Sequence, residues 1–214
     1  TCTSDLDAYV KLFAEVLANS GVEVNKPALY DMLYAEALKG DADCNGIISF
    51  NYYSGEPVTD TAEGRPLLVR MPDSKFSLAN FMRAQLYGTM ATLRLGMNIL
   101  FDKENVKIEK LLGHGGLFKT PVVGQKLMAG ALNTPVAVME TAGEGGAWGI
   151  ALLAAYMVNK NNEPLEDYLE NKVFAEYKAS VIEPDKVDVD GFNEYIKRYE
   201  AAVSVEKAAI DVLK

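Results

Sequence analysis

Histidine and cysteine are almost absent from this sequence, which contains one histidine, His114, and two cysteines, Cys2 and Cys44. A zinc site built on several imidazoles is therefore excluded, because such a site needs more than one histidine. Two cysteines this far apart are too few for a disulfide scaffold, and their spacing is not that of metal ligands. We therefore expect reduced thiols and a cytoplasmic location.

Long apolar runs and an excess of positive charge are also missing. The chain has 21 basic and 30 acidic residues, a net charge of −9, which disfavours binding to nucleic acid or to an anionic membrane. The most apolar stretch, residues 147–158, is too short to cross a bilayer, and no signal peptide is evident at the start. Because the first residue is Thr1 and not methionine, we expect a piece of a longer protein.

Short apolar strands alternate with amphipathic helices along the first three quarters of the chain. Hydrophobic residues make up 49% and charged residues 24%, a composition that excludes wholesale disorder. The periodicity of apolar residues predicts helices over about 4–21, 27–39, 78–100, 121–132 and 147–159, and strands over 46–53, 67–70, 106–112 and 135–139. This alternation predicts a layered α/β architecture.

The composition changes after Asn159. Residues 163–214 contain 13 acidic and 7 basic residues, so this segment carries −6 of the net charge of −9. Its pattern is mostly helical. We therefore predict a lobe over residues 1–159 and a helical C-terminal extension, residues 160–214, packed on that lobe.

Two glycine-rich turns each connect a predicted strand to a predicted helix. The first is GHGG at 113–116 and the second is TAGEGG at 141–146. Glycines expose backbone amides that can bind phosphate or ribose oxygens, and turns after neighbouring strands share the sheet edge where α/β proteins bind ligands. Neither GxGxxG nor GxxxxGK[ST] is present, so tight turns without a ligand remain the alternative.

Four segments form an ordered pattern along residues 45–157. They are SFNYYSGEPVTDTAEGRP at 49–66, FMRAQLYG at 81–88, GGLFKTP at 115–121 and GQKLMAGALNTPVAVMETAGEGGAWGIALLAA at 124–155. Their order and spacing resemble the C-terminal, nucleotide-binding lobe of the FGGY family of carbohydrate kinases. Two positions depart from the family pattern: Tyr87 replaces an acid, and Gly64–Arg65 reverses an Arg–Gly pair.

The resemblance implies an actin- and hexokinase-like (ribonuclease H-like) ATPase lobe, truncated at its N-terminal strands. ATP with Mg²⁺ would bind in a cleft, and the sugar would bind mainly to a missing N-terminal lobe. No segment of the chain resembles the family's catalytic aspartate or its DxGT phosphate loop, so no catalytic residue is assigned. The positions that match the family's nucleotide-binding turns are Gly115, Gly116, Leu117, Thr120, Gly145, Gly146 and Ala147.

The implied activity is transfer of the ATP γ-phosphate to a sugar hydroxyl, with a pentulose such as xylulose as the expected acceptor. The chain alone is expected to be inactive, because the base lies elsewhere in the family. One alternative is a non-catalytic interaction or regulatory module whose glycine turns are structural, and another is a related ATPase with a different acceptor. An unpaired strand edge is also expected, covered by the tail or by a second copy in a homodimer.

Four further residues have two interpretations each. Glu56 and Asp60 either face the cleft of an intact enzyme or act as turn residues. Glu144 either meets ribose hydroxyls or is a solvated acid at a loop tip, and Trp148 either packs in a core or lobe interface or stacks near the nucleotide. His114 is interpreted as a neutral turn residue and not as a base.

Overall fold

The computed structural model describes residues 4–140, 145–175 and 179–214. Helices and short strands alternate along these residues, as the sequence predicts. The helices are α1 (Ser4–Asn19), α2 (Lys26–Ala37), α3 (Leu78–Asn98), α4 (Val123–Leu132), α5 (Gly145–Asn159), α6 (Leu165–Tyr168) and α7 (Lys186–Val212). The strands are β1 (Ile47–Phe50), β2 (Leu67–Arg70), β3 (Leu111–Gly113), β4 (Val136–Met139) and β5 (Ala179–Ile182).

The strands form two small sheets. In the first, β1 pairs antiparallel with β2, and all four residues of β1 are buried. In the second, the order is β3-β4-β5, with β3 parallel and β5 antiparallel to β4. Within the described part of the chain, no strand pairs with the outer edge of β3, where Leu112 is 59% exposed. The outer edge of β3 is therefore open among these residues, and the tail strand β5 pairs with the other side of β4.

Helix α3 is the central helix of the larger core. It begins where Ser77 Oγ accepts a hydrogen bond from the Asn80 amide. Its buried stripe packs against β1 and includes Met82, Leu86 and Met90. Gly88 allows this packing, because a Cβ atom at that position would lie 2.6 Å from the Ser49 carbonyl oxygen.

Helix α7 completes the same core. Phe192, Tyr195 and Tyr199 are fully buried and belong to one hydrophobic cluster with β1 and α3. The Tyr87 and Phe192 rings meet edge to face with centroids 4.7 Å apart. The boundary at residue 159 remains a prediction, but α7 is an integral part of the core that the preceding residues form.

The tail is mostly helical, but Ala179–Ile182 form a strand, β5, along the edge of β4 that the sequence pattern does not predict. Buried Gln125 joins the two strands, because its Nε2 donates hydrogen bonds to the carbonyl oxygens of Val136 and Ser180. Three of the four residues of β5 are exposed, so the strand has no buried face from which its sequence pattern could be recognised.

The predicted strand at 106–112 is also wrong in its extent, because the observed strand covers only Leu111–Gly113. The Val106 amide donates instead to the Leu100 carbonyl oxygen, which ties this residue to the end of the preceding helix. That bond occupies the amide, and Val106 remains 43% exposed. The apolar residues before Leu111 therefore belong to an irregular connection.

Helix α5 is apolar on all sides, a pattern that predicts a buried helix or one packed on a second lobe. The residues described here do not bury this helix, since Ile150 is 69% and Met157 75% exposed. Trp148 instead packs on Phe174 with ring centroids 5.6 Å apart. Among the described residues, no helix is both long and apolar enough to cross a membrane.

The C-terminal end of α7 holds the polar loop between β1 and β2. Glu206, fully buried, accepts a hydrogen bond from the Arg65 amide at 2.6 Å. The Arg65 guanidinium also donates to the Leu213 carbonyl oxygen. These bonds connect residues more than 140 positions apart and fix the position of the loop.

Burial raises the pKa of Glu206 above its ordinary value of 4.5, so the folded state binds the proton more tightly than the unfolded chain. Such a group stabilises the fold below the unfolded pKa, and this contribution is lost as the pH rises through the folded pKa. We therefore expect the stability of Glu206→Gln relative to wild type to increase as the pH rises above about 4.5. Urea denaturation at a series of pH values measures this difference.

The matched control is Glu200→Gln, an exposed acid on the same helix. Substitution of this exposed side chain should change the free energy of unfolding by no more than about 0.5 kcal/mol, as is usual for surface positions. A difference between Glu206→Gln and wild type that is independent of pH would contradict the prediction.

Candidate functional site

The strands that precede the two glycine-rich turns end at the same edge of the second sheet. Strands β3 and β4 are parallel neighbours, with Leu111 opposite Val136 and Gly113 opposite Val138. The segments that follow them therefore emerge side by side, as predicted. A Cβ atom on Gly145 would lie 2.5 Å from His114 Nδ1, so the first turn contacts the start of α5.

The first turn exposes bare backbone. Gly115 has φ of +96°, a conformation that side chains rarely allow. No atom lies within 4 Å of the position that a Cβ would take at Gly115 or Gly116. Leu117 differs, because its side chain is buried in the core and its carbonyl oxygen packs against Gly124. A ligand in the turn would therefore meet backbone at Gly115 and Gly116.

The second turn is described only from Gly145 onward, and Glu144 lies outside the described residues. Gly145, Gly146 and Ala147 form the first turn of α5, where helix amides lack intrahelical partners. Gly146 has open space at its Cβ position, and Ala147 is exposed. The start of α5 and the first turn therefore expose backbone groups next to each other at this edge of the sheet.

Thr120 connects the first turn to α2. Its hydroxyl donates a hydrogen bond of 2.8 Å to Asp31 Oδ1, across 89 residues of sequence. Two residues later, Val122 has φ of 73°, an unfavourable conformation for a β-branched residue. Residues in such strained conformations cluster at functional sites, which makes this turn the best candidate in the described chain.

A cavity of about 550 Å³ lies between this turn, α1 and α2. Its volume is in the range of small-molecule sites. The residues that line it are Ser4, Leu6, Asp7, Pro27, Tyr30, Asp31, Tyr34, Gly116, Lys119 and Thr120. Of the residues predicted from sequence, it includes Gly116 and Thr120. The glycines of the second turn are not among its lining residues.

The sequence patterns do not identify the residues that α1 and α2 contribute to this cavity. Asp7, Tyr30 and Asp31 lie on α1 and α2. The only patterns that we recognise in the sequences of these helices are capping residues and apolar stripes. Nothing in either helix marks a ligand site, because a cavity between elements depends on how they pack. The proximity of Asp31 to Thr120 has no signature in the local sequence.

Charge in the cavity is unevenly distributed. Asp7 accepts a hydrogen bond from the Tyr30 hydroxyl and forms an ion pair with Lys11 at 3.2 Å. Asp31 lies beside Thr120, and Lys119 lies at the glycine turn. The walls formed by α1 and α2 therefore carry carboxylates, whereas the turn has backbone amides and a lysine.

A second cavity, of about 640 Å³, adjoins the turn at Thr120. It extends along the ends of β4 and β5, where it is lined by Gln125, Met139 and Ser180 among others. Gln125 bonds both strands there, so this cavity reaches the sheet edge itself. Thr120 belongs to both cavities and marks the boundary between them.

Glu56 and Asp60, the acids of the loop between β1 and β2, have local structural roles. The Glu56 carboxylate accepts a hydrogen bond from the Val58 amide at 3.2 Å. Asp60 has φ of 53°, a left-handed turn conformation. This geometry favours the interpretation of both as turn residues.

The comparisons with known proteins agree with the fold described above. A family model described as "FGGY family of carbohydrate kinases, C-terminal domain" matches residues 2–158. Among curated proteins, none matches the chain.

Several solved structures are similar in fold. The xylulose kinase from Rhodospirillum rubrum has a TM-score of 0.67 at 19% identity, over 93% of this chain and 38% of that one. The ligand-bound xylulose kinase from Lactobacillus acidophilus has a TM-score of 0.64 at 19% identity, over 84% of this chain and 34% of that one. The Plasmodium falciparum glycerol kinase with ADP has a TM-score of 0.61 at 18% identity, over 91% of this chain and 36% of that one.

At these identities the likeness shows the fold alone. The fold is the actin- and hexokinase-like type that the sequence predicts. The chain spans about a third of the length of the kinases that it matches.

Proposed function

The chain belongs to the FGGY family of carbohydrate kinases, and from this premise we propose that it forms the ATP-binding part of a sugar kinase. The parent enzyme would transfer the γ-phosphate of ATP to a sugar hydroxyl in the cytoplasm. One observation carries the proposal: the first glycine turn, whose backbone is exposed at Gly115 and Gly116, meets the start of α5 at one sheet edge, beside a cavity of about 550 Å³.

The charges indicate how a nucleotide would be oriented. Asp7 and Asp31 would repel phosphates from the α1 and α2 side of the cavity. The phosphates would instead approach the amides at Gly115, Gly116 and the start of α5, where a helix N-terminus favours negative charge. The base and ribose would then occupy the cavity between the helices.

Mg²⁺ is expected to arrive with the nucleotide. Over residues 4–140, 145–175 and 179–214, no group of three or more histidine, cysteine, aspartate or glutamate side chains could hold a metal ion. These residues therefore do not form a protein cage for Mg²⁺, an ion that is commonly held by one or two carboxylates and substrate phosphates. The catalytic steps assigned to this chain are limited to binding and orienting the nucleotide.

A pentulose such as xylulose is the proposed acceptor. The resemblance over residues 45–157 supports this choice, and two of the similar structures are xylulose kinases. Because no segment resembles the family's catalytic aspartate, we propose that the 214 residues alone do not phosphorylate a sugar. Phosphoryl transfer needs several groups positioned around the γ-phosphate, so binding without them gives no turnover.

ADP or Mg-ATP should raise the midpoint of thermal unfolding, because a ligand that binds only the folded state stabilises it. At ten times the Kd the stabilisation is roughly 1.4 kcal/mol, which corresponds to about 3–5 °C for a chain of this size. Gly116→Val should abolish this shift, because the added side chain points into open space at the cavity. Differential scanning fluorimetry over a nucleotide titration measures both effects.

Gly149→Ala is the matched control, since its Cβ also meets open space but lies outside the cavity. That variant should keep the ligand-dependent shift. No shift with any nucleotide would contradict the proposal and favour an interaction module with structural glycines. Phosphorylation of xylulose by the chain alone would contradict only the proposal that it is inactive.

A further inference from the structure

We propose that Asp31 selects the base of the bound nucleotide by accepting a hydrogen bond from an exocyclic amino group. The inference rests on the proposed function, because it assumes that the cavity beside the first glycine turn holds a base. Asp31 would be a specificity-determining residue on α2, more than 80 positions before the glycine turn that defines the site.

The position of the Asp31 carboxylate is fixed by Thr120. Oδ1 accepts the Thr120 hydroxyl at 2.8 Å, and both residues line the cavity. An ionised carboxylate has about four acceptor sites on two oxygens, so this bond leaves capacity for a ligand donor. The bond also joins α2 to the glycine turn, which holds the acceptor at a constant distance from any ligand seated on that turn.

Two tyrosines supply aromatic surface without selectivity. Tyr30 and Tyr34 line the same cavity, with ring centroids 6.2 Å apart and planes inclined at 73°. Aromatic rings stack on every nucleobase, so stacking contributes affinity but distinguishes poorly between bases. Discrimination must therefore come from hydrogen-bonding groups in the cavity walls.

Among the acidic residues that line the cavity, Asp31 is better placed than Asp7 for this purpose. Asp7 already accepts from the Tyr30 hydroxyl on one oxygen and pairs with Lys11 on the other. Asp31 has one bond, to an uncharged hydroxyl, on one of its oxygens. Asp31 is therefore the acid in this cavity that most readily accepts a hydrogen bond from a ligand.

A carboxylate accepts hydrogen bonds but does not donate them when ionised. It therefore favours a base with an amino group and disfavours one with a carbonyl oxygen at the same place, where two acceptors would face each other. Adenine and hypoxanthine differ in this way at position 6. Guanine and hypoxanthine differ only in the 2-amino group.

Isothermal titration calorimetry of the 214-residue chain with ADP, GDP and IDP tests the inference. We expect at least one of the two amino-bearing nucleotides to bind about tenfold or more tightly than IDP, as for a lost hydrogen bond to a charged group. Asp31→Asn should reduce a preference for ADP over IDP to about twofold or less, because the amide can rotate to donate to the 6-carbonyl oxygen of hypoxanthine. Asp31→Ala should reduce a preference for either amino-bearing nucleotide to the same extent, because it removes the acceptor of the amino group. Asp73→Asn, an exposed acid outside the cavity, should keep the full preference.

The substitution at Thr120 gives a second measurement. Thr120→Ser keeps the hydroxyl and should retain the preference, whereas Thr120→Val removes the bond that positions Asp31 and should weaken it. Equal affinity for all three nucleotides, or an unchanged preference in Asp31→Ala, would overturn the inference and leave the proposed function intact. Failure of every nucleotide to bind would instead remove the proposed function, and the inference with it.

Discussion

Asp188→Ala should lower the free energy of unfolding by about 3–5 kcal/mol, because it leaves the Arg83 guanidinium buried without its charged partner. Arg83 Nη2 lies 2.5 Å from Asp188 Oδ1, and the two side chains are only 3% and 8% exposed. For a chain of this size the loss corresponds to roughly 10 °C in the unfolding midpoint. Urea denaturation and differential scanning calorimetry measure the two quantities.

The effect should be large because Arg83 is the centre of a network. Its guanidinium also donates to the Tyr87 hydroxyl at 2.8 Å and to the Gly40 carbonyl oxygen at 3.3 Å. These bonds join α3 to α7 and to the end of α2. Tyr87 occupies the position where the family pattern has an acid, and its hydroxyl accepts a hydrogen bond from the buried Arg83.

Asp190→Ala is the matched control on the same helix. Asp190 pairs with Lys186 at 2.6 Å, but the two side chains are 60% and 85% exposed. An exposed pair of this kind contributes little, so the loss should stay below about 0.5 kcal/mol. Equal losses in the two variants would show that burial does not set the strength of the Arg83–Asp188 pair.

Gly191→Ala should lower the free energy of unfolding by about 2 kcal/mol or more, although alanine is the better helix former. A Cβ atom on Gly191 would lie 2.4 Å from the Ala42 backbone, which the helix propensity of alanine cannot offset. Helix α7 would have to move away from the segment around Ala42. Chemical denaturation of the purified variant gives the change directly.

Gly149→Ala, in helix α5, should have the opposite effect and raise the free energy of unfolding. No atom lies within 4 Å of its Cβ position, so the substitution removes only the backbone entropy cost of glycine. We expect a gain of about 0.5–1 kcal/mol. If both glycine substitutions stabilised the chain, the close approach of α7 to Ala42 would be wrong.

Local sequence patterns predicted most elements because their signals lie within a few residues. The apolar periodicity over residues 78–100 predicts α3, and the glycine turns follow β3 and precede α5. The same reasoning failed at 106–110, where a hydrogen bond from Val106 to the preceding helix end takes the amide away from the ladder. It also failed at β5, whose pairing depends on a partner about 45 residues away.

For the candidate site, the sequence identified the two turns but not the cavity. Gly116 and Thr120 line it, while Gly145 touches the first turn through His114. Asp31 and Tyr34 were not predicted, because their part in the cavity arises only when α2 packs near the turn.

By itself the sequence determined the family, the order of strands and helices, and the two glycine-rich turns. Each of these depends on residue types at short, fixed spacings, which a linear pattern records. Only the tertiary structure decided that α7 belongs to the core, that β5 completes the second sheet, and that Asp31 lies against Thr120. These contacts join residues 40 to 150 positions apart, and their geometry depends on how whole elements pack, which no local spacing encodes.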